Sequence, residues 1–327
     1  MPRDTPFWRG DDLTERRHSR PVEEPQSQQL DLFADNRRTI WLNQAHEALR
    51  CLDLVAAMAQ YGKIIEAHLD DREIRDELEL AGMWRQILDR YRESSRDVEQ
   101  ILQLYGGLAD RLPSTLRTGL LEYLVIQVRA VEAPELLYIP PRFHVGLLCY
   151  ELGDHEEAGV WFGRALDAGI QPVGRFLSYR GDALFRFGSE DVARELYREA
   201  FLRDPFTVDL AHLADRAIPE LISEAESEAD ESSEILPWLP VWGWLRNVFT
   251  LDLNDLLADR SGYLKSLAEA ESAERLTSSQ FWFEYLRYAE FLRSSHRDDQ
   301  ELIRARRRMK EINGEMFGRY MKKIRGN

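Results

Sequence analysis

The side chains that could perform chemistry in this chain do not form a catalytic pattern. The sequence has seven histidines and two cysteines, and no two histidines have the spacing that places a pair of metal ligands on one face of a helix. His144 and His155 lie too far apart along the chain to share such a face. Cys51 and Cys149 fall in apolar helical patterns, which favours buried, reduced thiols.

Motifs for phosphate binding and for nucleophilic catalysis are also missing. The sequence contains neither a glycine-rich phosphate loop nor a Gly-x-Ser-x-Gly turn. Aspartate and glutamate are abundant, but a helical protein carries them on its solvated faces. We therefore expect a protein without catalytic residues, cofactor or metal. An enzyme whose site is assembled from scattered carboxylates is the alternative.

A short linear motif stands near the N-terminus. Residues 29–33 read QLDLF and resemble the bacterial sliding-clamp-binding motif, Q-L-(S/D)-L-F. The resemblance implies the sliding clamp as a partner, with Leu32 and Phe33 in an apolar pocket and Gln29 hydrogen-bonded at the rim of that pocket. Alternatively, Leu30, Leu32 and Phe33 strap the N-terminal segment onto the first helix pair.

Two adjacent segments of the chain are similar to each other. Each carries small residues and one bulky aromatic in the same order, with an offset of 35 residues, which is the length of one helix-turn-helix repeat. The matched pairs are Gly146 with Gly181, Gly153 with Gly188, Ala158 with Ala193, Phe162 with Tyr197, and Ala165 with Ala200.

The matched residues have physical roles in a pair of helices. Gly146 is small enough to let two crossing helices approach closely. Gly153 and Gly188 are placed to end the first helix of each pair with a left-handed residue. Asp154, with Glu157 three residues later, predicts the capped start of a second helix.

This pattern resembles the tetratricopeptide (TPR) family over residues 140–205. The resemblance implies an all-α fold, a right-handed stack of antiparallel helix hairpins (a TPR-like α-solenoid) in which the first helix of each hairpin lines a concave groove. Two repeats cannot cover their own apolar ends, so further hairpins are expected beside them. On the groove we place Phe143, Leu147 and Tyr150 from the first repeat and Tyr179, Asp182 and Arg186 from the second.

This set of groove residues differs from the lysine and asparagine ring of carboxylate-binding TPR grooves. We therefore expect an extended or helical segment of a partner protein, held by apolar and charged side chains. The expected function is that of a non-catalytic protein-interaction scaffold. A sliding-clamp-associated accessory factor in bacterial DNA replication or repair, docking through QLDLF, is the alternative.

Composition divides the chain into four parts. Residues 1–34 are expected to form a disordered tail that carries the short motif, and residues 35–222 a helical-repeat domain. Residues 223–236 are acidic with few apolar side chains, which indicates a linker or loop. Residues 237–327 are expected to close the array, with the tryptophan-rich segment 235–245 forming either a hydrophobic plug or an exposed ligand site. Within these parts, helices are predicted over 37–60, 207–222 and 298–325, among others.

The net charge of −15 over 327 residues argues against direct binding to nucleic-acid phosphates. Residues 297–327 are nonetheless basic, which favours either a nucleic-acid contact or a solvated helix face whose arginines pair with carboxylates. No apolar run approaches about 20 residues, and the first residues lack the apolar segment of a secretory signal. We therefore expect a cytoplasmic, bacterial protein without a membrane span.

Overall fold

The computed structural model describes residues 26–67, 71–93, 97–141, 143–229, 234–295 and 299–326, with side chains from residue 36 onwards except that of residue 299. Over these ranges the fold is all-α: the regular elements are α-helices and short 3₁₀ turns, and one isolated bridge joins Ile139 and Phe143. The α-helices are α1 (Gln26–Arg50), α2 (Leu54–Ala67), α3 (Arg72–Glu93), α4 (Val98–Leu108), α5 (Ser114–Arg129), α6 (Val145–Glu151), α7 (His155–Asp167), α8 (Val173–Phe187), α9 (Glu190–Arg203), α10 (Ala217–Glu228), α11 (Leu239–Leu245), α12 (Asn254–Ala258), α13 (Arg260–Ser272), α14 (Ser278–Ser294), α15 (Asp299–Ile312) and α16 (Gly314–Gly326).

The chain divides into two compact units, and the division falls inside α3, between Ile87 and Leu88. In the first unit, α1 and α2 pack on each other through buried residues that include Leu49 and Tyr61. The helix predicted over 37–60 is two helices, because the chain turns through Leu52, whose φ is 53°. Asp53 then caps α2 by accepting a hydrogen bond from the Ala56 N–H at 3.0 Å.

In the second unit, helices α6 to α9 carry the internal repeat, and each packs on the next along the chain. Gly153 and Gly188 follow the ends of α6 and α8 with φ of 82° and 97°, which confirms the predicted left-handed helix ends. Asp154 caps α7 by accepting from the Glu157 N–H at 3.2 Å. The Glu157 side chain does not complete a capping box; it accepts instead from Trp161 Nε1 at 2.8 Å.

The close helix contacts are the same in both repeats. A Cβ added to Gly146 would lie 2.7 Å from Phe162 Cε1, and one added to Gly181 would lie 2.9 Å from Tyr197 Cε1. Each glycine thus provides the space that the aromatic ring of the following helix fills. The predicted packing role of these glycines is confirmed. Phe162 and Tyr197 occupy equivalent positions in the two repeats, as their alignment predicted.

Three predicted boundaries after the repeats are wrong. Residues 207–222 do not form one helix, since α10 begins only at Ala217, whose N–H donates to Asp215 Oδ1 at 2.9 Å. The acidic segment predicted as a linker or loop is helical up to Glu228, because α10 continues to that residue and Ala225 is completely buried. The basic helix predicted over 298–325 is divided at Asn313, whose Oδ1 accepts from the Met316 N–H at 3.0 Å and so starts α16.

The tryptophan-rich segment packs into the core of the second unit. Trp242 is buried with 3% of its surface exposed, and the Trp238 ring lies edge-on to Trp282 at 6.1 Å between ring centroids. Trp244 lies 5.9 Å from the ring of Tyr320 on α16. These contacts match the hydrophobic plug. Among the helices that the structure describes, none is long and apolar enough to cross a membrane.

Candidate functional site

A cavity of about 380 Å³ opens beside the repeat helices of the second unit. Helices α6, α7 and α8 form one side of it, and the segment that follows α9 forms the other. The lining residues are Leu147, Tyr150 and Glu151 on α6, Phe162 on α7, Tyr179, Asp182 and Arg186 on α8, and Asp209, Ala211, His212 and Leu213 on the segment after α9.

The structure brings five of the six predicted groove residues to this cavity. Leu147 and Tyr150 share a face of α6, and Tyr179, Asp182 and Arg186 recur at helical spacing on α8.

Phe143 is the exception. It precedes α6, which begins at Val145, and its backbone pairs with Ile139. Its ring occupies the space beside Gly106 that a side chain there would need. Phe143 therefore packs between α4 and the start of α6, and it is not among the residues that line this cavity.

Asp182 fixes the second wall of the cavity. Its Oδ1 accepts hydrogen bonds from the Tyr197 hydroxyl at 2.5 Å and from the Ala214 N–H at 2.8 Å. Ala214 directly follows the lining segment 209–213, so this contact attaches that segment to α8. A buried carboxylate with two donors is a stable arrangement, and Asp182 therefore positions the wall as well as lining the cavity.

Burial changes the acid–base behaviour of this pair. Desolvation raises the pKa of Asp182 to about 7, although the hydrogen bonds from Tyr197 and from the Ala214 backbone oppose the shift. Desolvation and the nearby Asp182 carboxylate raise the pKa of Tyr197 as well. Burial therefore disfavours the charged form of Asp182, while its two hydrogen-bond donors stabilise that form.

The other charged groups of the cavity differ in how they are compensated. Glu151 forms a salt bridge with Arg117 at 2.9 Å, so its charge is neutralised locally. Asp209 Oδ2 accepts from the Tyr179 hydroxyl at 3.5 Å and lies 4.0 Å from His212 Nε2. Arg186 is exposed at the far end of α8.

His144 and the buried cysteine of the repeat region have structural surroundings. His144 Nδ1 accepts from the Gly146 N–H at 3.0 Å, and burial lowers the pKa of His144 to about 4, so this neutral ring caps α6. Burial raises the pKa of the Cys149 thiol, which disfavours the nucleophilic thiolate. Cys51 is exposed, contrary to the expectation of a buried thiol. Across the described ranges, no three His, Cys, Asp or Glu side chains converge as metal ligands.

The two remaining sequence candidates lie elsewhere. Residues 29–33 belong to the backbone of α1, which begins at Gln26 and not at residue 37; the side chains of Gln29, Leu30, Leu32 and Phe33 fall outside the described side chains. In the basic C-terminal region, Arg308 pairs with Glu271 and with Glu311, and Arg319 pairs with Glu228 and with Glu315. These ion pairs match the solvated helix face.

The sequence did not identify Glu151, Phe162 or the segment 209–213 as lining the cavity, although Phe162 was recognised as a repeat residue. Glu151 had a detectable signal, because the 35-residue offset pairs it with Arg186. The segment had none, because its apolar residues fit the helix predicted over 207–222.

Comparison of the chain with protein-family models, with curated proteins and with solved structures gave no match.

Proposed function

We propose that this chain is a non-catalytic protein-interaction scaffold of the TPR-like class, which binds a segment of a partner protein in the cavity between α6, α8 and the segment 209–213. The observation that carries the proposal is the convergence of Leu147, Tyr150, Tyr179, Asp182 and Arg186 on one cavity. These residues come from the first helix of each repeat, the helix that lines the groove in TPR-like stacks.

The chemistry of the walls supports a peptide occupant. Leu147, Tyr150 and Leu213 offer apolar surface, while Arg186 and Asp209 offer charges at the margins. Binding sites for protein segments combine apolar anchor pockets with a few polar groups that fix orientation. The repeated Gly146–Phe162 and Gly181–Tyr197 contacts support the stacked-hairpin architecture that the proposal assumes.

Affinity capture from the native cell extract tests the proposal. The wild-type chain is expected to retain at least one protein that the Tyr150→Ala/Arg186→Ala variant does not retain, because the variant removes one aromatic wall and one charge. Phe187→Ala is the matched control, since Phe187 is adjacent on α8, is 52% exposed and does not line the cavity. Equal capture by all three proteins would refute the proposal.

A second candidate function rests on the QLDLF sequence of residues 29–33. It is docking on a bacterial sliding clamp as an accessory factor in DNA replication or repair. Because these residues lie within α1, docking as an extended segment requires the first turns of α1 to unwind. The cost of unwinding is small at a helix end.

The double variant Leu32→Ala/Phe33→Ala tests this second function. Docking predicts a loss of clamp affinity by a factor of about 30 or more, because these two side chains are the apolar anchors, with little change in the urea midpoint. A structural strap predicts the reverse, a lower urea midpoint and unchanged clamp association. A wild-type chain that does not bind the clamp would exclude the docking function.

A further inference from the structure

The candidate cavity carries opposite charges at its two ends. Asp209 lies at the Tyr179 end, where the Tyr179 hydroxyl is 3.5 Å from Asp209 Oδ2. Arg186 lies seven residues further along α8, and at 1.5 Å of rise per residue this separates the two ends by about 10 Å. The cavity therefore has a direction, acidic at one end and basic at the other.

These two charges are the ones available to a ligand. The carboxylate of Glu151 is already paired with Arg117 at 2.9 Å, and Asp182 is buried under two hydrogen bonds. By contrast, the hydrogen bond and the ion pair of Asp209 are long, at 3.5 Å and 4.0 Å, and its charge acts on Arg175 only through space. The Arg186 guanidinium forms no salt bridge with another described residue, and its charge acts on Asp182 and His155 only through space.

Apolar surface lies between the two charged ends. Leu147, Tyr150 and Phe162 contribute it from the helices, and Ala211 and Leu213 contribute it from the facing segment. A charged group that enters this partly desolvated space interacts more strongly with a fixed opposite charge than it would in water.

We propose that the occupant is a peptide segment with an apolar side chain between a basic and an acidic one, the basic side chain contacting Asp209 and the acidic one contacting Arg186. The inference rests on the proposed function, because it names the chemistry of the partner at the same cavity. An extended chain rises about 3.3 Å per residue. The two charged side chains of the partner therefore stand two to four positions apart.

A purely basic segment is the competing ligand, since the whole chain carries a net charge of −15. Arg186 disfavours such a ligand, because a basic side chain at that end of the cavity is repelled by the like charge of the guanidinium. An acidic side chain placed there gains a hydrogen-bonded ion pair with a guanidinium, which is a strong form of this contact.

Selection from a phage-displayed library of random 12-residue peptides tests the inference. The full chain serves as bait, and the Tyr150→Ala variant removes peptides that do not depend on the cavity. We expect the retained peptides to share an apolar residue flanked by Lys or Arg on one side and Asp or Glu on the other. Retained peptides without such a pair, for example purely basic ones, would overturn the inference and leave the proposed function standing. Absence of any cavity-dependent peptide would overturn both.

Charge variants then assign each end of the cavity. Asp209→Asn and Arg186→Gln are each expected to weaken a retained peptide by about three- to tenfold. The Asp209→Asn effect should vanish for a peptide whose basic residue is replaced by Gln, and the Arg186→Gln effect for one whose acidic residue is replaced. Asp191→Asn and Arg203→Gln, on α9 and outside the cavity lining, are the matched controls. Charge effects that persist with the neutral peptides would overturn the assignment.

Discussion

Replacing Gly181 by alanine is expected to destabilise the second unit, although alanine is the better helix former. Gly181 lies in the middle of α8, and a Cβ there would stand 2.9 Å from Cε1, 3.1 Å from Cδ1 and 3.2 Å from Cζ of Tyr197. The Tyr197 ring has little freedom to move away, because it is fully buried and its hydroxyl donates to Asp182 at 2.5 Å.

The expected change in the free energy of unfolding for Gly181→Ala is the sum of two opposing effects. Replacing glycine by alanine inside a helix contributes about 1 kcal/mol of stability. Overpacking a tight contact costs about 1–3 kcal/mol, so the net loss for Gly181→Ala is about 1 kcal/mol. Gly181→Leu keeps the clash and adds three carbons, so its loss is larger, about 2–3 kcal/mol.

Urea unfolding at neutral pH measures the effect, with Gly318→Ala as the matched control. Gly318 is exposed within α16, and nothing lies within 4 Å of the Cβ it would gain. With an m-value of roughly 3 kcal/mol per M, Gly181→Ala lowers the midpoint by about 0.3 M and Gly318→Ala raises it by a similar amount. A midpoint for Gly181→Ala that rises like that of Gly318→Ala would refute the packing argument for both repeats.

Further predictions concern protonation and the acidic helix. Since the pKa of Asp182 is raised from 3.8 to about 7, the folded state binds this proton more tightly than the unfolded state. The stability of the wild type relative to Asp182→Asn should therefore fall as the pH rises from about 4 to about 7, and a pH-independent difference in urea midpoints would contradict this. The pKa of His144 is lowered from 6.5 to about 4, so its effect on stability has the opposite dependence on pH. Relative to His144→Asn, the wild type should lose stability as the pH falls from about 6.5 to about 4. Parallel acid-unfolding curves of the two proteins would contradict this prediction. Ala225→Asp buries an unpaired carboxylate in α10 and should cost about 2 kcal/mol or more in urea unfolding, whereas exposed Glu226→Ala should change little; equal midpoints would mean that this segment does not pack.

The parts of the fold that the sequence predicts correctly are those set by neighbours along the chain. A left-handed helix end needs glycine at one position, which is why Gly153 and Gly188 predict the ends of α6 and α8. The close approach of two helices needs a small residue opposite a large one. This requirement is met twice, by the contact of Gly146 with Phe162 and by the contact of Gly181 with Tyr197.

The parts that sequence reasoning misses depend on contacts between residues distant in the chain. The apolar residues of 207–222 have helical spacing. The backbone there is nonetheless held by a hydrogen bond from the Ala214 N–H to the carboxylate of Asp182, 32 residues earlier. The acidic segment around Glu228 looks like a solvated loop by composition. It is helical because Leu221 and Ala225 find buried positions in the core of the second unit.

The internal repeat itself contains one clue to the site that composition does not. The 35-residue offset that pairs Gly146 with Gly181 also pairs Leu147 with Asp182. A cavity-lining position that takes leucine in one repeat therefore takes a carboxylate in the other, and Asp182 is only 4% exposed. Burying a carboxylate where an apolar residue fits costs stability unless it makes specific hydrogen bonds. Asp182 makes them to Tyr197 and to Ala214, and through Ala214 it brings the wall of Asp209 and Leu213 against α8. Asp182→Leu would therefore restore the repeat pattern and remove the hydrogen bond that attaches the segment 209–213 to α8.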